Sequence, residues 1–243
     1  MIQCLKKRFN PRPVAPPTES ECHIRRDWLL DTKRLLGGCC NGIVIDGGAF
    51  KGDVADRMSR VFSNQQIHAF EPNGELFESM KSRFADNQRI VCHHAALSSQ
   101  EGTATFHVTA RPDCASLYQP GQPAKQWHPE AMGFDRNEEV ETVRMDTLFS
   151  GQSIDLMKLD LQGYELEALR GAGSVLKQTK VIVAEVSFVE FYSGQPLFCQ
   201  VSEYLRQHHF RLFYLSDVWL RPEGQITQAD AMFVNEKHFP SIA

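Results

Sequence analysis

The chain has 243 residues, of which 42% are hydrophobic, and its formal net charge is −4. This length and apolar content suffice for one sizeable core, and α/β domains of such length are commonly single. A weakly acidic chain lacks the basic field that captures phosphate backbones, so small-molecule or glycan substrates are favoured over nucleic acid.

The N-terminal segment is rich in proline and charge and poor in apolar side chains, which predicts an arm or linker over residues 1–25. It lacks the hydrophobic stretch of a signal peptide, and no run approaches the roughly 18 apolar residues of a membrane span. The seven cysteines are scattered, without a C-x-x-C motif. We therefore expect reduced thiols in a cytoplasmic protein.

From residue 26 onward, helical and strand patterns alternate in what we expect to be one domain, residues 26–243. "RRDWLLDTKRLL" has apolar residues at helical spacing and ends at Gly37 and Gly38. Apolar runs typical of buried strands follow, separated by helical patterns: "GIVID", "QIHAF", "RIVCHHAAL", "IDLMKLDL" and "VIVAEVS". "GTATFHVT" alternates like a half-exposed strand and could form a local hairpin.

Two further segments refine this pattern. Residues 110–138 carry four prolines and no sustained period, which predicts a long binding loop or lid. Near the C-terminus, "RLFYLS" and "AMFVNE" leave no room for a helix between them, so we expect an antiparallel hairpin. The prediction is a doubly wound α/β fold whose mostly parallel sheet ends in this hairpin.

The stretch "IVIDGGAFKGD" follows the first strand, where open parallel sheets bind their ligands. It is not a P-loop, because Asp53 stands where the lysine belongs, nor a dinucleotide loop, because Ala49 replaces the middle glycine. The carboxylate of Asp46 suits a cation, such as the amino-acid end or sulfonium of S-adenosylmethionine. Glu71 ends the second strand, where a carboxylate can accept both hydroxyls of a ribose.

Several motifs resemble the FkbM family of S-adenosylmethionine-dependent methyltransferases, in order from about residue 43 to 190: "VIDGGAFKGD", "HAFEPN", "AALSSQEGTATFHV", "TVRMDTLF" and "IDLMKLDLQGYELEALRGA". The resemblance implies the Rossmann-like class I methyltransferase fold, with seven strands, an antiparallel last strand and helices on both faces. It also implies O-methylation of a hydroxyl on a sugar, glycan or secondary metabolite.

Carried over by position, the resemblance implies a set of residues that contact the cofactor: Asp46, Gly47, Gly48, Ala49, Gly52, Glu71, Pro72, Ala96, Leu97, Ser98, Ser116 and Asp160. Ser116 and Leu117 match an "SL" element of the family, and Asp146 matches a "TLD"-like element. One position departs from the family, because Phe50 stands where Asn is usual. A ring there could crowd the methionine tail of the cofactor or pack under it.

Methyl transfer to an alcohol requires alignment and is helped by a general base or a metal. The candidate bases are Asp160 at a strand end, Glu165 in the next helix, Glu185 within a strand and His128 in the long loop. Each has an alternative reading, as a helix cap, a residue facing the helix dipole, a core salt bridge or a surface histidine. A divalent metal on Asp160 and Glu185 is an open alternative that no spacing demands, and we predict no metal site.

Three functions remain in play on the sequence. The first is an S-adenosylmethionine-dependent O-methyltransferase. The second is a catalytically silent binding module of the same fold, motivated by Phe50. The third is an NAD-dependent oxidoreductase, which shares Glu71 but not the glycine spacing. The absence of a [DN]-P-P-[YFW] motif, which marks methylation of exocyclic base nitrogens, again argues against a nucleic-acid substrate.

Overall fold

The computed structural model describes residues 26–240, so the arm expected at residues 1–25 lies outside the described residues, as do residues 241–243. Helices in the described chain are α1 Trp28–Leu36, α2 Asp53–Val61, α3 Gly74–Arg83, α4 Gln122–Trp127, α5 Met145–Leu148, α6 Glu165–Ala172 and α7 Phe198–Gln207. Strands are β1 Ile43–Gly47, β2 Ile67–Phe70, β3 Ile90–His93, β4 Ala96–Leu97, β5 Gly102–Thr109, β6 Phe134–Val143, β7 Ile154–Leu159, β8 Thr179–Ser187, β9 Phe210–Leu220 and β10 Ile226–Asn235.

The main sheet has seven strands in the order β3-β2-β1-β7-β8-β10-β9. Strand β10 runs antiparallel to both β8 and β9, while the pairs among β3, β2, β1, β7 and β8 are parallel. The predicted fold, including the closing antiparallel hairpin, is therefore confirmed. The last strand inserts between β8 and the edge strand β9, so it is paired on both sides and most of its side chains are buried.

Helices cover both faces of this sheet and divide its core in two. Helices α1, α2 and α3 pack on one face around Val44, Met58 and Leu156. Helices α5, α6 and α7 pack on the other face around Ile45 and Met157. Consecutive residues of β1 and β7 thus feed opposite cores, which is why these strands are apolar throughout rather than alternating.

Helix α1 forms where its spacing predicts. The side chain of Asp27 caps its first turn by accepting hydrogen bonds from the amides of Leu29 and Leu30, and the helix ends at Gly37, whose φ is +55°. In the part of the chain that the structure describes, no helix is both long and apolar enough to cross a membrane.

A second sheet of three strands, in the order β4-β6-β5, was not predicted. The run "RIVCHHAAL" divides after His93, and its last two residues pair with β6 instead of continuing β3. Strand β5 pairs with β6, so the predicted irregular loop ends earlier, at Phe134. The sequence of β6, "FDRNEEVETV", hides the strand because only two of its residues, Val140 and Thr142, are buried.

Candidate functional site

The main cavity, of about 320 Å³, opens at the C-terminal ends of β1, β2 and β7 and is closed from above by residues 112–117. Its volume falls at the low end of the range for small-molecule sites. Seven of the expected cofactor residues line it: Gly48, Ala49, Glu71, Pro72, Ala96, Leu97 and Asp160. The other five lie behind its wall: Asp46, Gly47, Gly52, Ser98 and Ser116.

Two glycines of the first turn are required by the packing of the chain itself. Gly48 has a φ of +75°, and a Cβ there would lie 1.9 Å from the carbonyl oxygen of Asp160. Gly52 has a φ of +83°, and its Cβ would lie 2.4 Å from the ring of Phe84. Gly48 therefore allows the end of β1 to touch the end of β7, which brings the turn and Asp160 to one place.

Asp46 is fully buried in β1, and neither of its carboxylate oxygens makes a hydrogen bond of ordinary geometry to a described residue, although the amide of Ala55 acts to lower its pKa. Burial raises the pKa of this carboxyl to about 6, against the charge of Lys158, which lowers it. A buried carboxylate without partners is costly. Its position beneath the glycine turn suits a positively charged ligand.

Glu71 presents its carboxylate at the end of β2 in a fixed orientation. One oxygen accepts a hydrogen bond from the amide of Phe50 and the other from the amide of Asn73, each at 2.8 Å. Burial raises the pKa of Glu71 to about 7, and the two amides oppose that rise. Each oxygen keeps a further lone pair, so the carboxylate can still accept two hydroxyl groups from a ligand.

Phe50 adopts a left-handed backbone conformation, with a φ of +52°. Asn and Gly are favoured there, and other residues pay roughly 1 to 2 kcal/mol. The conformation aims the Phe50 amide at Glu71, while the ring lines the main cavity beside the Lys51 ammonium, 5.1 Å from the ring centroid. The ring does not fill the cavity.

Lys158 lines the cavity at the centre of a group of charged side chains, and it was not predicted from the sequence. Its ammonium is 2.7 Å from a carboxylate oxygen of Asp160, and its side chain is only 5% exposed. Burial alone would lower the pKa of Lys158, but the charges of Asp160, Asp230 and Asp46 outweigh burial and raise it. The sequence does contain a signal for Lys158, because a lysine inside the apolar run "IDLMKLDL" is unusual. It contains none for Asp230, which comes near Lys158 only because of the order of the strands in the sheet.

Gln162, also missed, connects the acidic groups. Its side-chain nitrogen lies 2.9 Å from Asp160 and 3.4 Å from Glu185, while its side-chain oxygen lies 2.9 Å from the Tyr192 hydroxyl. That hydroxyl is also 2.9 Å from the carbonyl oxygen of Cys114, so its single proton serves one acceptor at a time. Burial and the charge of Asp160 raise the pKa of Glu185 well above its usual value.

Like Glu185, the other two candidate bases, Glu165 and His128, do not line the cavity. The carboxylate of Glu165 accepts hydrogen bonds from the amides of Leu161 (2.7 Å) and Gly163 (3.3 Å), so it holds the turn between β7 and α6. Burial raises the pKa of Glu165 to about 7. His128 is exposed at the end of α4, with its ring 6.3 Å from that of Phe191.

The remaining expected residues hold the walls together. The hydroxyl of Ser116 donates to the carbonyl oxygen of Gln162 at 2.9 Å and so ties residues 112–117 to the β7–α6 turn. Ser98 caps the turn after β4 by accepting from the amide of Gln100. Asp146 pairs with Arg144. Within residues 26–240 no three His, Cys, Asp or Glu side chains are grouped to hold a metal ion.

Three comparisons with known proteins agree with this geometry. The family model described as the methyltransferase FkbM domain matches residues 46–212. The 2-O-methyltransferase NoeI of Sinorhizobium fredii (strain NBRC 101917 / NGR234) is 28% identical over 163 residues, which cover 63% of this chain and 66% of NoeI. The crystal structure of methyltransferase FkbM from Methylobacillus flagellatus KT matches with a TM-score of 0.53 and 13% identity, over 86% of this chain and 48% of that chain. The chain thus spans just under two thirds of the first protein and about half of the second.

Proposed function

Since the chain belongs to the methyltransferase FkbM family, we propose that it transfers a methyl group from S-adenosylmethionine to a hydroxyl of a sugar, glycan or secondary metabolite. The observation that carries the proposal is the group of carboxylates around one buried lysine, which lines a cavity that also presents Glu71. Such an arrangement attracts a ligand with positive charge. The curated relative, named a 2-O-methyltransferase, supports an oxygen atom as the acceptor.

The residues present fit this cofactor, which supplies a methyl group on a sulfonium when it is bound. Glu71 would accept the ribose hydroxyls, since its carboxylate is held at the cavity wall by two amides. Asp46 would compensate the positive charge, since both of its oxygens are buried without partners. Ala96 and Leu97 would pack against the base.

The same wall disfavours a dinucleotide. A pyrophosphate needs cationic side chains or a free cluster of amides. Lys158 is the single basic residue among those that line the cavity, and it is already bound to Asp160. Among the described residues, the cavity wall therefore offers no free cation to a pyrophosphate, and the family model further favours S-adenosylmethionine over the NAD-dependent alternative.

We assign Asp160 as the group that takes the proton from the acceptor hydroxyl. It is the one candidate base that lines the cavity, and its oxygens are fixed by Lys158 and by Gln162. Glu185 lies behind Gln162, 3.4 Å from its side-chain nitrogen, and does not line the cavity. Glu165 is a positioning residue for the turn.

Calorimetry with S-adenosylhomocysteine tests the cofactor, and a screen of hydroxyl acceptors with radiolabelled S-adenosylmethionine tests the reaction. We expect binding that weakens about tenfold or more in Glu71→Ala, because hydrogen bonds to a charged group contribute roughly 1.5 to 3 kcal/mol. The matched control is Glu75→Ala in the first turn of α3, which should leave binding unchanged. No binding would refute the proposal, and binding without transfer to any acceptor would favour the silent module.

A further inference from the structure

A second cavity, which we call the outer cavity, has a volume of about 270 Å³ and lies against the three-stranded sheet. Its walls come from β5, β6, α4 and the connection between them, and include His107, Gln119, Lys125, Phe134 and Asn137. It shares no lining residue with the main cavity. The proposed methyl transfer does not use it.

Strand β5 contributes to both cavities at different points along its length. Phe106 lines the main cavity, whereas His107, Val108 and Thr109 line the outer one. Because no described residue lines both, the outer cavity is separate from the main one.

A bulge builds the floor of the outer cavity. Phe134 and Asn137 are three residues apart in β6 and would normally face opposite sides of the sheet. The pairing register shifts between Val108 and Thr109, so Asn137 pairs with His107 while Phe134 pairs with Thr109. His107 and Thr109 are two residues apart and share one face. The bulge therefore brings the ring of Phe134 to the same side as the amide of Asn137.

Phe134 is 71% exposed, the highest fraction for a large apolar side chain in residues 26–240. Beside this ring lie polar side chains with nitrogen atoms that are free to form hydrogen bonds with a ligand. The ring nitrogen Nδ1 of His107 is 2.9 Å from the amide oxygen of Asn137, which leaves the amide nitrogen of Asn137 and the other ring nitrogen for a ligand. Lys125 makes no ion pair with another described residue.

This combination of groups selects the ligand. A pyranose ring has a flat face of C–H groups that packs on an exposed aromatic ring, and hydroxyls around its edge that both donate and accept hydrogen bonds. Amide and imidazole side chains both donate and accept as well. The cavity is slightly smaller than the roughly 300 Å³ at which drug-sized sites begin, a size suited to one small ring.

We propose that the outer cavity is a saccharide-binding site in which a neutral sugar ring stacks on Phe134 and its hydroxyls bond to Asn137, His107 and Lys125. The choice of a sugar rests on the proposed function, in which the acceptor class includes glycans. A long glycan could bind here with one residue and present another to the main cavity. Such two-point binding raises the effective concentration of the acceptor.

Titration of the full chain with cellotriose and maltotriose, followed by NMR of ¹³C-methyl methionine, tests the site. The chain has seven methionines. Met132 lines the outer cavity, and its resonance is assigned with Met132→Leu. Met157, fully buried in β7, is the internal reference. We expect one or both sugars to shift the Met132 resonance and to leave Met157 in place.

Two variants and a control decide the outcome. Phe134→Ala should weaken the apparent affinity at least tenfold, and Asn137→Ala should weaken it with the ring still present. The control is Leu30→Ala, which removes an apolar side chain that is 43% exposed on α1, a helix that contributes no residue to the outer cavity, and it should change nothing. A Met132 resonance that neither sugar moves, or a shift that survives in Phe134→Ala, overturns the proposal. Binding of S-adenosylhomocysteine in the same samples is scored separately, so failure of the methyltransferase proposal is recognised by itself.

Discussion

The two sheets of this chain treat ionisable side chains in opposite ways. The seven-stranded sheet buries Asp46 and Lys158, and it holds the partly buried Asp230 close enough for its charge to raise the pKa of Lys158. In the three-stranded sheet, the charged residues of β6 stay at the surface, as in the pairing of Thr105 with the exposed Glu139. Burying charge is costly, and solvated charge costs almost nothing. The charged groups of the seven-stranded sheet therefore depend on one another, while the charged surface of the three-stranded sheet tolerates substitution.

The largest effect on activity is expected from removing the proposed base, Asp160. Asp160→Asn should lower kcat by about 10² to 10⁴, the usual contribution of a positioned base, and calorimetry with S-adenosylhomocysteine separates this loss from any weakening of cofactor binding. The matched control is Asp113→Asn. Asp113 also lines the main cavity, on the segment of residues 112–117, and it pairs with Arg111. A pair at the surface is worth at most about 1 kcal/mol, so kcat should stay within about fivefold. Equal losses of kcat in both variants would mean that Asp160 contributes no more to the reaction than Asp113 does.

Lys158→Met tests whether the inner carboxylates depend on one cation. Loss of one partner of a buried pair typically costs about 3 to 5 kcal/mol, because the remaining charges are left uncompensated. We expect a fall of that size in the free energy of unfolding by urea. The control is Arg60→Met, which breaks a surface pair with Asp56 and should cost less than about 1 kcal/mol. Similar losses in the two variants would contradict the proposed role of Lys158.

Some parts of the fold and of the candidate site could be predicted from the sequence. Strands β1, β2, β7 and β8 could be predicted because strands buried on both faces are apolar throughout. Glu71 could be predicted because it immediately follows such a strand. Asp230 could not, because it reaches Lys158 only after β10 inserts between β8 and β9.

The three-stranded sheet could not be predicted either, for a different physical reason. Strand β6 is stabilised mainly by backbone pairing with β5, and burial of its side chains contributes little. Its sequence therefore lacks the alternation that identifies a half-buried strand. Likewise, the contacts of Tyr192 with Cys114 and Gln162 join three distant segments and leave no local pattern.

Titration of Glu71 gives a smaller effect that depends on pH. The pKa of this acid is raised from 4.5 to about 7, so the folded chain holds the proton more tightly than the unfolded chain. The corresponding stability is present below about pH 4.5 and is lost as pH rises through about 7. Over that window the loss is on the order of 3 kcal/mol. The lowered pKa values of His68 and His93 act in the opposite sense, so the wild type alone cannot isolate this change.

The difference between Glu71→Gln and the wild type isolates it. Relative to the wild type, the variant should gain stability as pH rises from about 4.5 to 7.5, because its side chain does not titrate. Urea unfolding at several pH values gives this difference, and a constant offset from altered hydrogen bonds does not affect its slope. As a control, Glu75→Gln on the exposed start of α3 should run parallel to the wild type. A flat difference for Glu71→Gln would mean that its pKa is close to normal.

The smallest effect concerns Phe50, where the backbone and the side chain make opposite demands. Its φ of +52° favours Asn, so Phe50→Asn should relieve roughly 1 kcal/mol of backbone strain. Loss of the ring removes its contact with Lys51, worth about 0.5 to 1 kcal/mol when exposed. Phe50→Ala loses the ring but keeps the strain, so the difference between the two variants in urea unfolding reports the backbone alone. We expect the Asn variant to be the more stable of the two, and to bind S-adenosylhomocysteine at least as tightly as the wild type, because the Phe50 amide still donates to Glu71. If the Asn variant binds more weakly, the ring itself forms part of the cofactor site, and the inner wall recognises its ligand by apolar contact as well as by charge.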